Sequence, residues 1–332
     1  MCCMLVLACE SREGCNPGLS LTLANVTLLT SISSIPSGVE RDHDLEIMVA
    51  LGENARSREV GEVRVLVDVG FPKVRSLEDL ESLNTRASMD LRRAIAESQL
   101  ADRERIEELA TEQDLLKVRA HLYGHQPDYA ELFRYASFAL TGRVVALANA
   151  DVVLRNLDRL DSQAFVLPEE NKTRLALALT VRPPTGKFGQ TCDKQLNDRC
   201  HRNSGSYDGF VFGTPLPATA RYDLLEEFLP APVYMNELAA EFRAKQFLVA
   251  SGFDVINPCL NHLAEHWHCN SKKSHHQTAP VYADAWDLMV ALGGKVELPA
   301  EKDTWGIKCP NERDFDDAQR PRETYNQDAT TE

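Results

Sequence analysis

The chain has no surplus of positive charge, no CxxC pair, no HExxH pattern, no internal repeat and no apolar run of membrane-spanning length. Each absence removes a class of function. Lysine and arginine total 36 against 50 acidic residues, for a formal charge of −14. A surface that tracks nucleic-acid phosphates needs the opposite sign, so no nucleic-acid partner is expected. Without CxxC or HExxH, the usual spacings of a structural zinc site, a dithiol redox centre or a zinc hydrolase are missing. Met1 to Cys9 is apolar but has no basic n-region and is too short to span a bilayer. It reads as a degenerate signal or the remnant of a lost anchor.

What is present suits a globular α/β protein. The 332 residues and a hydrophobic fraction of 43% suffice for one large domain or about two. Nine cysteines fall into groups: Cys2, Cys3, Cys9 and Cys15; Cys192 and Cys200; Cys259 and Cys269; and Cys309. Close pairs in loops fit the disulfides of a secretory protein. Asn25-Val26-Thr27 and Asn171-Lys172-Thr173 are N-x-T triplets, a pattern that also arises by chance. Together these features favour the ER or Golgi lumen over the cytoplasm.

Leu23 to Ile32 reads as a buried strand, Asp42 to Ala55 as an amphipathic helix and Val63 to Val69 as a second strand. That succession is a βαβ unit, which predicts a parallel sheet. Leu77 to Val118 is highly charged with scattered leucines, and predicts one or two solvent-facing helices inserted between core elements. Tyr129 to Leu140 is the next helix, Arg174 to Val181 an alternating strand, and Phe210 to Phe212 a short one. Asn236 to Ser251 is a helix that Gly252 ends, and Phe253 to Ile256 a strand. Pro183 to Asn203 is a long polar loop. The acidic tail after Pro310 is too polar to fold.

The most informative stretch is Leu147-Ala148-Asn149-Ala150-Asp151-Val152-Val153-Leu154, read as an apolar strand interrupted by an Asn and an Asp. A carboxylate in a buried run costs several kcal/mol unless it is paired or binds a cation. Ligands of open α/β sheets sit at strand carboxyl ends, and a short acidic motif there can hold a divalent ion against a substrate phosphate. An Asp that merely closes a strand and caps a turn is the competing reading.

Four motifs occur in order: Tyr129 and Leu132-Phe133-Arg134-Tyr135-Ala136 leading into LANADV; Ser204-Gly205-Ser206-Tyr207-Asp208-Gly209-Phe210-Val211-Phe212; Met235-Asn236-Glu237; and Gly252-Phe253-Asp254-Val255-Ile256-Asn257-Pro258-Cys259-Leu260, followed by Glu265-His266-Trp267-His268-Cys269. This succession resembles GT-A-type glycosyltransferases, and among them a family of glycosyltransferase-like proteins. The resemblance implies a GT-A-like, Rossmann-like α/β fold, with a mixed, mostly parallel sheet flanked by helices. It implies a single domain over residues 23–276, with the charged helical insertion at 77–118. An N-terminal segment (1–22), an extension (277–309) and the acidic tail (310–332) lie outside it.

It further implies a nucleotide-sugar donor, a hydroxyl-bearing acceptor, and Mn²⁺ or Mg²⁺ on the donor diphosphate. Asn149-Ala150-Asp151 stands where such enzymes carry Asp-x-Asp, so Asp151 alone offers full charge to the metal. His266 and His268 are the further ligand candidates, each otherwise a packed histidine. Glu237, at a helix start where a carboxylate also suits the macrodipole, is the candidate general base, and Asp208 competes with it. Thr30, Asp68, Arg41, Asn149 and Arg182 are candidates for the nucleotide. Two other classes stay open. One is a metal-binding protein built on His262, His266, His268, Cys269, His275 and His276; the other is an inactive nucleotide-sugar-binding relative, suggested by Asn149.

Overall fold

A computed structural model describes residues 25–36, 42–70, 76–160, 165, 174–181, 183–190, 207–217, 220, 224–229, 234–235, 240–258 and 263–267. Strands β1 (Val26–Ile32) and β2 (Val60–Asp68) flank helix α1 (Asp42–Arg56) in sequence and pair in parallel, completing the expected βαβ unit. After α2 (Leu77–Ala101) and the short α3 (Glu112–Leu115) come β3 (Val118–Tyr123), α4 (Tyr129–Ala139) and β4 (Val144–Ala148). Then follow β5 (Val152–Leu154), β6 (Arg174–Leu179), α5 (Gly186–Gln190), β7 (Gly209–Gly213) and α6 (Leu225–Phe228). The described part ends with α7 (Ala240–Ala250), β8 (Phe253–Ile256) and β9 (Ala264–His266).

Seven strands form one sheet in the order β3-β2-β1-β4-β7-β6-β8, and β5 pairs with β9 in a separate ribbon. Only β7 runs against its neighbours β4 and β6, so the sheet is mixed and mostly parallel, as expected for a GT-A-like α/β fold. Helices cover both faces. Val26, Leu28, Val63, Val65 and Val67 pack toward α1 and α2. Leu29, Leu66, Val145 and Leu147 pack toward α4 and α7, where Phe133 meets Phe212 and Phe247 at ring distances of 5.1 and 4.8 Å.

Three expectations need correction or refinement. The LANADVVL run is not one strand. Val152 N–H donates to Asn149 O at 3.1 Å, closing a turn that sends β5 away from the sheet to pair with β9. Both halves are apolar because both are buried on two faces, so composition hides the break.

Helix α2 faces solvent on one side only: Ala87, Leu91, Ala94 and Ile95 of its other side sit in the core. Its Asn84, Ser88 and Arg92, spaced by four on one helical face, complete the outer edge of β3. Leu122 N–H donates to Asn84 Oδ1 (2.9 Å), Ala120 N–H to Ser88 Oγ (3.0 Å), and Arg92 Nε to Val118 O (2.9 Å). A bare edge strand invites foreign pairing, and this ladder closes it. Strand β3 itself escaped the sequence reading because Arg119, His121 and Tyr123, on the face opposite Val118, Ala120 and Leu122, leave no continuous apolar run. Finally, the segment read as a polar loop contains α5, whose Phe188 stacks on Trp267 with ring centroids 4.3 Å apart.

Candidate functional site

In an open α/β sheet, ligands sit outside the strand carboxyl ends where the strand order reverses. Here that point lies between β1 and β4. Asn149, Ala150 and Asp151 form the turn directly beyond β4, so the sheet delivers them to that crevice.

Two contacts organise this edge. His266, the last residue of β9, places Nε2 2.9 Å from Asp151 Oδ2. The register Val152↔His266 sets that approach, and Trp267 N–H adds a bond to Asp151 O at 2.8 Å. Asn149 meets Asp208 twice: its N–H donates to Asp208 O at 3.1 Å, and its side-chain amide reaches Asp208 Oδ1 at 3.5 Å. Asp208 N–H donates to Leu179 O (3.1 Å), so the residue bridges the ends of β4 and β6. Asp151 and Asp208 are both buried, each 8% exposed. The next residue must be glycine: a Cβ on Gly209 would stand 2.9 Å from Ala148 Cβ and 3.1 Å from Leu147 O.

The ribbon carrying His266 is fixed to α1 by an amide. Asn54 Nδ2 donates to Val152 O (2.8 Å), and Leu154 N–H donates to Asn54 Oδ1 (2.9 Å). The side chain thus acts as one more strand beside β5. On the other strand, Glu265 is 4% exposed and receives Arg155 Nε at 3.1 Å, Trp267 Nε1 at 2.9 Å and Thr185 Oγ1 at 2.6 Å. Arg155 also reaches Glu53 of α1 at 3.3 Å.

Sequence reasoning missed four contributors. His43, in the first turn of α1, has its pKa raised by the Glu46 carboxylate, with Asp151 and Asp44 adding to it against burial. The imidazolium is therefore favoured close to Asp151. An isolated histidine in a charged helix start gives no signal of this. Around Asp208 lie Tyr129, Glu241 and Lys245. The Tyr129 hydroxyl is fully buried without a hydrogen-bond partner among the described residues. Burial, then Glu241 and Asp208, raise its pKa well above the ordinary value. Tyr207 N–H donates to Glu241 Oε2 (2.8 Å), and Lys245 Nζ lies 5.5 Å from the centre of the Tyr207 ring. Burial lowers the Lys245 pKa to about 8.

The other candidates separate. Asp68 ends β2 on the same edge and accepts Gly70 N–H at 3.0 Å. Thr30 is wholly buried near the end of β1, its hydroxyl without a partner among the described residues. Neither bonds to Asn149, Asp151, Asp208 or His266. Arg41, Arg182, Glu237 and His268 lie outside the described residues, as do His262, His275, His276 and all nine cysteines. Among the described residues, no group of three or more His, Cys, Asp or Glu side chains could hold a metal, and no helix is long and apolar enough to cross a membrane.

No protein-family model matches the chain, and no curated protein matches it. Among solved structures it is similar to a mannosyltransferase from Pyrobaculum calidifontis in complex with GDP-Man and Mn²⁺. That match has 14% identity and a TM-score of 0.38, over 77% of this chain and 60% of that chain's length. It is also similar to a UTP-bound UGPase from Acinetobacter baumannii, with 12% identity and a TM-score of 0.30, over 66% of this chain and 82% of that one.

Proposed function

We propose that the chain is a metal-dependent glycosyltransferase that moves a sugar from a nucleotide-diphosphate donor to a hydroxyl acceptor. The observation that carries this reading is the Asp151–His266 contact of 2.9 Å at the switch point of the sheet. Among the described residues, one carboxylate and one imidazole make a smaller set than a closed structural metal site uses. They suit a Mn²⁺ or Mg²⁺ ion that draws its remaining ligands from water and substrate phosphates. When bound, such an ion supplies charge neutralisation for the departing diphosphate.

The chain's own residues do the rest. His43, held toward its charged form, offers a second positive group for phosphate. Asn149 anchors Asp208, and its neutral amide leaves Asp151 as the charged member of the turn. Asp208 or Glu237 takes the acceptor hydroxyl proton as that oxygen attacks the anomeric carbon. Asp208 carries backbone bonds on both sides, which fixes its position.

Thermal shift with UDP-, GDP-, CMP- and dTDP-linked sugars, each with and without Mn²⁺, tests the proposal, because a ligand of the folded state raises the melting temperature. One donor should stabilise the chain only with metal, and Asp151→Asn should abolish that shift while the apo melting temperature holds. Equal metal-dependent shifts in variant and wild type would remove Asp151 from the site. Donor binding without transfer to any acceptor would make the chain a nucleotide-sugar-binding relative. Stabilisation by zinc with no donor response would favour the His/Cys metal-binding alternative.

A further inference from the structure

The opposite edge of the sheet carries a second concentration of charge that glycosyl transfer does not use. Glu62, on β2, is buried, and three arginines converge on it along the face that bears α4. Arg64 binds its Oε1 through Nε (2.7 Å) and through a further guanidinium nitrogen. Arg143, which leads into β4, reaches across β1 to Oε2 at 2.6 Å, and Arg119 of β3 lies 3.8 Å from Oε1. Among the described residues, none of the three pairs with another carboxylate. One negative charge therefore faces three fixed positive ones. The surplus is presented to solvent, because the Arg119 and Arg143 side chains are 62% and 47% exposed.

A neighbour reports the same field. His121 lies 2.6 Å from the Arg64 guanidinium. Its pKa is lowered to about 4, first by burial and then by Arg64 and Arg119. The imidazole stays neutral and accepts from Arg64, which donates also to the Tyr135 hydroxyl at 3.0 Å.

We propose that the row formed by Arg119, Arg64 and Arg143 is a docking site for an extended acidic peptide segment of a partner protein. The three residues come from three strand positions, but their guanidiniums converge: Arg143 and Arg119 lie 2.6 and 3.8 Å from the two oxygens of one carboxylate. Carboxylates two residues apart on an extended peptide share one face and are spaced by about 7 Å, a separation that two converging guanidiniums can meet. Guanidinium planes suit carboxylates, which they can bind through two parallel hydrogen bonds. Charge complementarity also selects a narrow partner over a broad one. The whole chain carries −14, and a flat anionic bilayer would bring acidic surface beyond the patch within a Debye length of about 8 Å. A single peptide strand meets the arginines alone.

Fluorescence anisotropy with the full chain and a short labelled peptide of alternating glycine and glutamate, at low salt, tests this. Wild type should bind the peptide, and Arg119→Ala combined with Arg143→Ala should bind it roughly tenfold more weakly, a difference of about 1.4 kcal/mol. Affinity should also fall as salt rises. Because Arg143 also ties Glu62, Arg119→Glu serves as the second variant. Its side chain is mostly exposed, so the melting temperature should hold while peptide binding falls. Wild type that ignores the peptide, binding that survives Arg119→Glu, or capture by phosphatidylserine vesicles without peptide binding would each overturn the proposal.

Discussion

Buried carboxylates sit at both ends of the sheet, and their surroundings differ in kind. At the amino ends of the strands, Glu62 is met by three arginines. Those charges are permanent, and they neutralise the carboxylate as part of the fold. At the carboxyl ends, Asp151 is met by imidazoles, His266 in contact and His43 nearby. An imidazole can give up its proton and accept a different partner within the physiological range. The first arrangement closes a carboxylate; under the proposed function the second serves an added cation. Two acidic side chains of similar burial can thus serve different ends, and the partner decides which.

Substitution at each carboxylate separates the two cases most sharply. Glu62→Ala should leave three guanidiniums around a vacated position and destabilise the chain by about 3 kcal/mol. Asp151→Asn, nearly isosteric and still able to bond His266, should change stability by less than about 1 kcal/mol. Chemical denaturation of both variants measures the contrast, and equal losses would erase it.

The ribbon that carries His266 offers a somewhat smaller effect. Asn54→Ala strands Val152 O and Leu154 N–H, at a cost of about 2 kcal/mol. It should also loosen the approach of His266 to Asp151. Donor-dependent thermal shift should then weaken along with stability, whereas Glu62→Ala should leave the donor response intact.

A further effect is a pH dependence at the arginine edge. The folded His121 pKa lies near 4 against an ordinary 6.5. Between those values the unfolded chain binds the extra proton, so stability falls as pH drops from 6.5 toward 4 and is unaffected by this group above 6.5. His121→Gln should flatten the melting-temperature profile in that window. An unchanged slope would assign the acid sensitivity to other groups.

Much of the frame was legible because it rests on local pattern. The βαβ unit showed in the alternation of Val63 to Val69 and in the helical spacing of Leu45, Met48 and Val49. The strand that runs against its neighbours in the seven-stranded sheet, β7, was visible only as a short apolar run, since direction is set by pairing partners distant in sequence. Strand β3 was hidden because its outward residues belong to the arginine network, where charge is paired through space. At the site, Asp151 and His266 were both named from sequence. His43, Tyr129, Glu241 and Lys245 were not, because each is an ordinary residue for its helix and gains meaning from what lies across the sheet.

The sequence by itself determined the βαβ unit, the burial of its longest apolar runs, and that a lone Asp in the apolar LANADVVL run required a partner. Those follow from hydrophobic period and from the cost of an unpaired buried charge, both properties of a few adjacent residues. Only the tertiary structure decided that the run breaks in two, that Asn54 holds the second half, and that His266 arrives against Asp151 from 115 residues away. It also decided that Glu62 collects three arginines from separate parts of the chain. Long-range pairing depends on strand order and register, and one residue's slip would turn each of these side chains to the opposite face.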